Sequence, residues 1–310
     1  MKPLKYQVEK YIQFRRQLGY KLENAEKILK NFASFSAEHG VSYIKIDVAV
    51  SFSKKNPKAS PATWSKSLGI IRQFALFLKT IDQRTEVPPL NFIASSNQRP
   101  IPYIYTNEQI QHLLKACKKL GSRSEILKHT YYTLFGLVSV TGMRISEAIS
   151  LEQKNVDFSN EIVFINKTKF RKSRINPLHS STLYELEKYI DYKSKLFPKS
   201  ESSNLFVSSA GSGLKYHNVR KAFVQASIFA GLRSGYKGHG PRIHDLRHTF
   251  AVQTLTEWYK NSTNIDVHLP LLSTYLGHIN PVNTYWYLTA TPDLLNQAVV
   301  RLEKNMGGII

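Results

Sequence analysis

Apolar residues recur at helical spacing through most of this 310-residue chain, interrupted by a proline-rich stretch at 84–105 and a short strand-like stretch at 161–176. That pattern constrains the fold more than any other feature. Val8, Tyr11, Ile12 and Phe14 form one stripe, and Ala25, Ile28, Leu29, Phe32 and Phe35 form a second. Helices are therefore predicted over Tyr6–Leu18 and Asn24–His39, with Gly19 and Gly40 as their stops. A shorter helix is predicted over Ile46–Phe52. Ser60 and Pro61 open a fourth, since serine caps the free N–H groups of a first turn and proline suits its first position. Its stripe is Trp64, Leu68, Ile71, Phe74, Phe77 and Leu78.

Pro88, Pro89, Pro100 and Pro102 break the rhythm over 84–105, which reads as an extended linker. Thr106 with Gln109 forms a capping box ahead of Ile110, Leu113, Leu114, Cys117 and Leu120. A long helix over Ser124–Val140 follows. Glu161–Ile165 and Arg174–Asn176 then read as two short strands joined by a basic turn. Helical spacing returns over 183–196, 219–232, 245–259 and 269–276, and again after Pro292. The expected fold is mainly α with a small antiparallel β-sheet: a four-helix domain over 1–83, a linker over 84–105, and an α+β domain over 106–310.

Charge narrows the partner. The chain holds 43 Lys and Arg against 22 Asp and Glu, a formal net charge of +21. Residues 1–100 alone carry 17 basic and 7 acidic side chains. An excess spread along both halves suits an anionic polymer gripped from two sides better than a neutral enzyme with a basic tail. Lys54, Lys55, Lys58 and Lys66 gather around one loop and helix start and are the candidates in this half to grip such a polymer, DNA being the expected one if the phosphate chemistry below holds. Cys117 is the only cysteine, so no intrachain disulfide forms, and its helical position reads as core. No apolar stretch is long enough to span a membrane, and the expected location is the cytoplasm, on the nucleoid.

The chemistry concentrates in a few segments. His244-Asp245-Leu246-Arg247-His248, Leu276-Gly277-His278 and Tyr287 lie in the last third, and Thr141-Gly142-Met143-Arg144 lies upstream. Cleaving a phosphodiester without metal requires fixed cations on the non-bridging oxygens, an in-line nucleophile and an acid for the leaving oxygen. Arg144 and Arg247 suit the first need, because guanidinium grips phosphate by paired hydrogen bonds and keeps its charge. Tyr287 and Lys169 are candidates for the others, with His244 and His278 able to move or donate protons.

These residues, in this order, resemble the catalytic domain of the tyrosine recombinases, the phage integrase, Cre and Xer group, over residues 106–304. Thr141 to Ala148 resembles that family's first arginine box, implying a phosphate-binding Arg144 and an orienting Glu147. The basic turn, Thr168 to Arg174, resembles the hairpin carrying the family lysine. Its register picks Lys169 ahead of Lys172 and Lys167, and places Arg171, Lys172 and Arg174 at the DNA. His244-x-x-Arg247 and Leu276-Gly277-His278 match two further boxes. Tyr287, nine residues past His278, stands where the nucleophile belongs. Tyr285 would point about 200° away on a helical turn, and His248, outside the box, is expected to be a packing or backbone-capping residue.

The resemblance implies strand cleavage and rejoining through a 3′-phosphotyrosine, with no metal or cofactor. It implies a homotetramer on two double-stranded DNA sites, with an accessory or sister recombinase as a possible partner. The expected task is integration, excision or transposition of a mobile element. A type IB-like topoisomerase and a DNA-binding relative with a dead site are the alternatives. Segment 1–83 resembles the core-binding half of a DNA clamp, and the last helix resembles a tail that docks on a neighbour.

Overall fold

The computed structural model describes residues 3–95, 101–120, 124–166, 173–198, 202–236, 240–261, 264–289 and 292–305. It divides the chain into two compact units, Met1–Pro100 and Ile101–Ile310. The first is built on α1 (Leu4–Gln17), α2 (Glu23–Glu38), α3 (Ile46–Lys54) and α4 (Pro61–Lys79). Their predicted stripes meet in one core that includes Val8, Ile12, Leu29, Phe32, Ile71 and Phe74. Burying each such side chain contributes about 1.5–3 kcal/mol, which sets these helices in place more than their intrinsic propensity does. Ser60 caps α4 as expected, its hydroxyl accepting from the Thr63 N–H.

The proline-rich segment departs from the linker expectation. Ile46 N–H donates to the Glu86 carboxylate at 2.8 Å, and Glu86 N–H donates to the Ile44 carbonyl at 2.8 Å. Arg72 donates to the Pro88 carbonyl, and Ile93 is buried with the helices. Prolines remove periodicity, but their carbonyls still accept hydrogen bonds. Residues 84–93 thus pack into the first unit, and Tyr105 is buried in the second.

The second unit opens with α5 (Asn107–Cys117), closed by the reciprocal Thr106–Gln109 box. It continues through α6 (Glu125–Thr141), α7 (Ile145–Ile149), β1 (Val156–Asp157), β2 (Ile162–Ile165) and β3 (Arg174–Pro177). The three strands form one antiparallel sheet in the order β1-β2-β3, with Val163 opposite Asn176. The two-residue β1 is too short for an alternation to announce it. Then come α8 (Ser180–Leu196), α9 (Tyr216–Phe229), α10 (Ile243–Lys260), α11 (Ile265–Leu276), α12 (Val282–Tyr285), a 3-10 turn over Trp286–Thr289, and α13 (Pro292–Asn305).

The largest core surrounds α6, which is buried along most of its length. Cys117 lies in that core as expected, and burial pushes its thiol up to about 12. A second core joins α10 and α11 to the segment after them through Leu255, Leu272, Leu276, Tyr287 and Leu294. The first turn of α13 therefore packs on its own chain, while Leu295, Val299 and Val300 are exposed. Among the described residues no helix is long and apolar enough to cross a membrane.

Candidate active site

Two glycines and one helix end assemble the site. α6 stops at Gly142, which adopts φ +60°. A Cβ there would stand 2.5 Å from the Phe250 ring and 3.0 Å from Leu276. Both the backbone and the space demand glycine. Gly142→Ala is expected to destabilise the second unit by about 2–4 kcal/mol, from left-handed strain plus overpacking. Urea unfolding followed by fluorescence would measure it, and an unchanged midpoint would refute the packing argument.

The turn at Gly142 points Arg144 toward the end of α11. The last carbonyls of a helix have no partner within it and carry the negative end of its dipole. Here three arginines take three successive carbonyls. Arg174 donates to Tyr275 O at 2.8 Å, Arg247 to Leu276 O at 2.8 Å, and Arg144 to Gly277 O at 2.9 Å. Arg247 also donates to Gly142 O at 2.8 Å, so the ends of α6 and α11 share one guanidinium. It is 1% exposed. Burial, then the neighbouring charge of Arg144, bring its pKa down to about 10, so it stays charged at neutral pH. Gly277, at φ +69°, leaves room for Arg174, whose Nη1 would stand 2.7 Å from an added Cβ.

Glu147 binds two of these cations. Its carboxylate accepts from Arg144 Nη1 at 2.8 Å and from the Arg144 N–H at 3.0 Å, closing the first turn of α7. It also accepts from the two terminal nitrogens of Arg174, at 3.2 and 2.7 Å. Burial alone would raise its pKa. The hydrogen bonds and charge of Arg174, then of Arg144, outweigh burial and hold the carboxyl below its usual range. Arg174, expected at the DNA with its neighbours, instead has its side chain turned inward onto Glu147 and the end of α11, 7% exposed. β3 begins at this residue, and strand alternation gives it the parity of buried Asn176 rather than of exposed Ile175.

The histidines complete the site. At the start of α10 the Asp245 carboxylate accepts from the Arg242 N–H at 2.7 Å, closing that helix. His244 follows the cap, with its ring 4.5 Å from His248. His278 Nδ1 lies 2.7 Å from the buried Thr284 hydroxyl, which fixes the ring. Crowding by protein, then the charge of Arg247, hold His244 at about 4 and His278 at about 3. Both are therefore neutral at pH 7.

Tyr287 falls in the 3-10 turn rather than on an early helical turn, but the contrast with its neighbour holds. It is 2% exposed and Tyr285 is 52% exposed. The tyrosine ring lies 6.2 Å from that of His278. Its hydroxyl is 3.0 Å from His248 Nδ1. His248 was expected to be a packing or backbone-capping residue, and this contact corrects that reading. The available signal was its position one residue past Arg247 and one helical turn past His244.

Lys169, Arg171 and Lys172 lie outside the described residues. Lys54, Lys55, Lys58 and Lys66 are all exposed around the 54–60 loop and the start of α4 in the first unit. Trp64 Nε1–H donates to the Asn56 carbonyl at 3.0 Å and pins that loop.

Comparison with known proteins settles the family. The phage integrase family model matches residues 104–293, more than half of the chain. The chain belongs to the phage integrase family. A putative integrase/recombinase, y4rB of Sinorhizobium fredii, is 38% identical over 98% of this chain and 98% of its own. Tyrosine recombinase XerC of Oceanobacillus iheyensis is 26% identical over 96% of this chain and 95% of its own. The structure of XerH site-specific recombinase bound to its palindromic difH substrate, in a post-cleavage complex, superposes with a TM-score of 0.68. It is 23% identical and covers 96% of this chain and 85% of that one, a likeness of fold. The chain is thus a tyrosine site-specific recombinase, mostly helical with a three-stranded antiparallel sheet.

Proposed function

We propose that this recombinase cuts and rejoins duplex DNA through a 3′-phosphotyrosine formed on Tyr287, in the integration, excision or transposition of a mobile element. One observation carries the reading. Arg144 and Arg247 are anchored on the successive carbonyls of Gly277 and Leu276, which fixes two cations side by side before any substrate arrives. Preorganised charge of this kind stabilises a phosphorane-like transition state without reorganisation during the reaction. His244 and His278 donate to the non-bridging oxygens, and Glu147 keeps Arg144 in place. The Tyr287 oxygen bonds to phosphorus as its proton passes to a neutral imidazole of the site, the bond from phosphorus to the 5′ oxygen breaks, and Lys169 protonates that oxygen. A 5′ hydroxyl of a second duplex reverses the step. Exchange between two sites then requires four protomers. The likeness to two putative integrase/recombinases of Sinorhizobium fredii favours a mobile element.

The test is a nicked duplex that loses a short fragment on cleavage and so traps the protein. DNA flanking the gene supplies candidate sites. The expected product joins protein to the 3′ end and leaves a free 5′ hydroxyl. Attachment to a 5′ end, or no adduct on any flanking segment, would overturn the proposal. Relaxation of a supercoiled plasmid lacking any paired site would instead favour a topoisomerase.

A further inference from the structure

We propose that His248 is a catalytic residue of this recombinase, accepting the Tyr287 hydrogen bond and so fixing the nucleophile to the helix that carries Arg247. This rests on the reading of Tyr287 as nucleophile and extends it to a residue outside the recognised boxes. The geometry is direct. His248 Nδ1 lies 3.0 Å from the Tyr287 oxygen. Arg247 is the adjacent residue on α10, with both terminal nitrogens of its guanidinium held by backbone carbonyls. One rigid helix therefore sets both the phosphate-binding cation and the attacking oxygen.

Two further observations support the assignment. Tyr287 sits in a four-residue 3-10 turn, a short element that cannot hold its own side chain as an α-helix would. Its orientation must come from contacts outside the turn. The His248 ring supplies part of them, packing 5.4 Å from Trp286 and 5.5 Å from Tyr287 by ring centroids, in edge-on arrangements. A phenol that donates to a neutral imidazole also has its proton turned away from the lone pairs needed for attack. Nδ1 can accept only in the tautomer that carries hydrogen on Nε2. Burial, then His244, hold His248 at about 4, so the accepting neutral form prevails at pH 7.

Two substitutions separate the hydrogen bond from the packing. His248→Phe keeps an aromatic ring against Trp286 and Tyr287 and removes the acceptor. His248→Asn places an amide oxygen near the position of Nδ1 and restores it. Single-turnover adduct formation on the nicked duplex is expected to fall about 100-fold in His248→Phe, the scale of misplacing a reacting atom by about an ångström. His248→Asn is expected to recover to within about fivefold of wild type. DNA affinity by gel shift should be equal in all three proteins. A wild-type rate in His248→Phe would overturn the proposal. So would an equal defect in both variants, because acceptance of the bond would then not be what matters. A spectroscopic arm does not depend on cleavage. Nitrogen-15 spectra of labelled histidine should show His248 protonated on Nε2, with its Nδ1 signal shifting in Tyr287→Phe. An unshifted signal sinks the hydrogen bond itself. Failure of wild type to form any adduct, with the shift present, sinks only the reading of the nucleophile.

Discussion

Tyr287→Phe is expected to bind DNA as tightly as wild type and to form no covalent adduct. The substitution deletes one oxygen. The ring that packs with Leu272, Leu276 and Leu294 is kept, so the second core stays filled. The cations that meet phosphate are also untouched, because Arg144 and Arg247 are fixed by carbonyls of Gly277, Leu276 and Gly142 rather than by the tyrosine. The lost hydrogen bond to His248 costs about 1 kcal/mol of stability. Catalysis takes the whole effect, a fall of at least about 10⁴-fold in adduct formation, as removal of an enzyme nucleophile generally gives. Tyr285→Phe is the matched control. Its side chain is exposed while that of Tyr287 is buried, and it should cleave at the wild-type rate. Gel analysis of the trapped adduct decides the matter. An adduct surviving in Tyr287→Phe and lost in Tyr285→Phe would exchange their roles.

The contrast between those tyrosines was legible in the sequence, because two residues of separation nearly reverse a side chain on any helical turn. What brings a histidine to Tyr287 was not. His248 lies on α10, and the chain must pass through α11 and α12 before Tyr287 returns to it. No local period records that return. The same distinction runs through the fold. The four helices of the first unit and the Thr106 box follow from caps and stripes, which are local. The start of α11 at Ile265, rather than at Leu269, was hidden because Pro270 inside the helix reads as a boundary. Arg174 was grouped with the basic turn by composition, whereas the pleat of β3 decides its direction. Residues 84–93 looked unstructured because their order comes from Arg72 and Ile46, far away in sequence. Periodicity reports which face is buried. It does not report which distant group that face will meet.

Glu147→Ala is expected to destabilise the second unit by about 3–5 kcal/mol, the cost of leaving buried charge without its partner. Arg174 is the reason for the size of the effect. Its side chain is 7% exposed and its guanidinium meets both carboxylate oxygens, so removing Glu147 leaves a desolvated cation close to Arg144 and Arg247. At about 2–4 °C per kcal/mol for a unit of this length, the melting temperature should fall by roughly 10 °C. Glu147→Gln keeps the shape of the side chain and one accepting oxygen but not the charge, and acid separates shape from charge. The folded pKa of Glu147 lies below its ordinary value of 4.5. A carboxylate with a depressed pKa contributes stability that is fully present above the unfolded value and is lost as pH falls through the folded one. The gap between wild type and Glu147→Gln should therefore be constant from pH 7 to pH 5. It should narrow below about pH 4.5 as the wild-type carboxyl takes up a proton. Thermal melts across that range measure it, and a gap that stays constant into acid would show that shape rather than charge holds the arginines. Activity should follow stability only in part. Arg144 also loses the charged partner that holds it against Gly277, so adduct formation by Glu147→Gln should be impaired even at temperatures where the protein is fully folded.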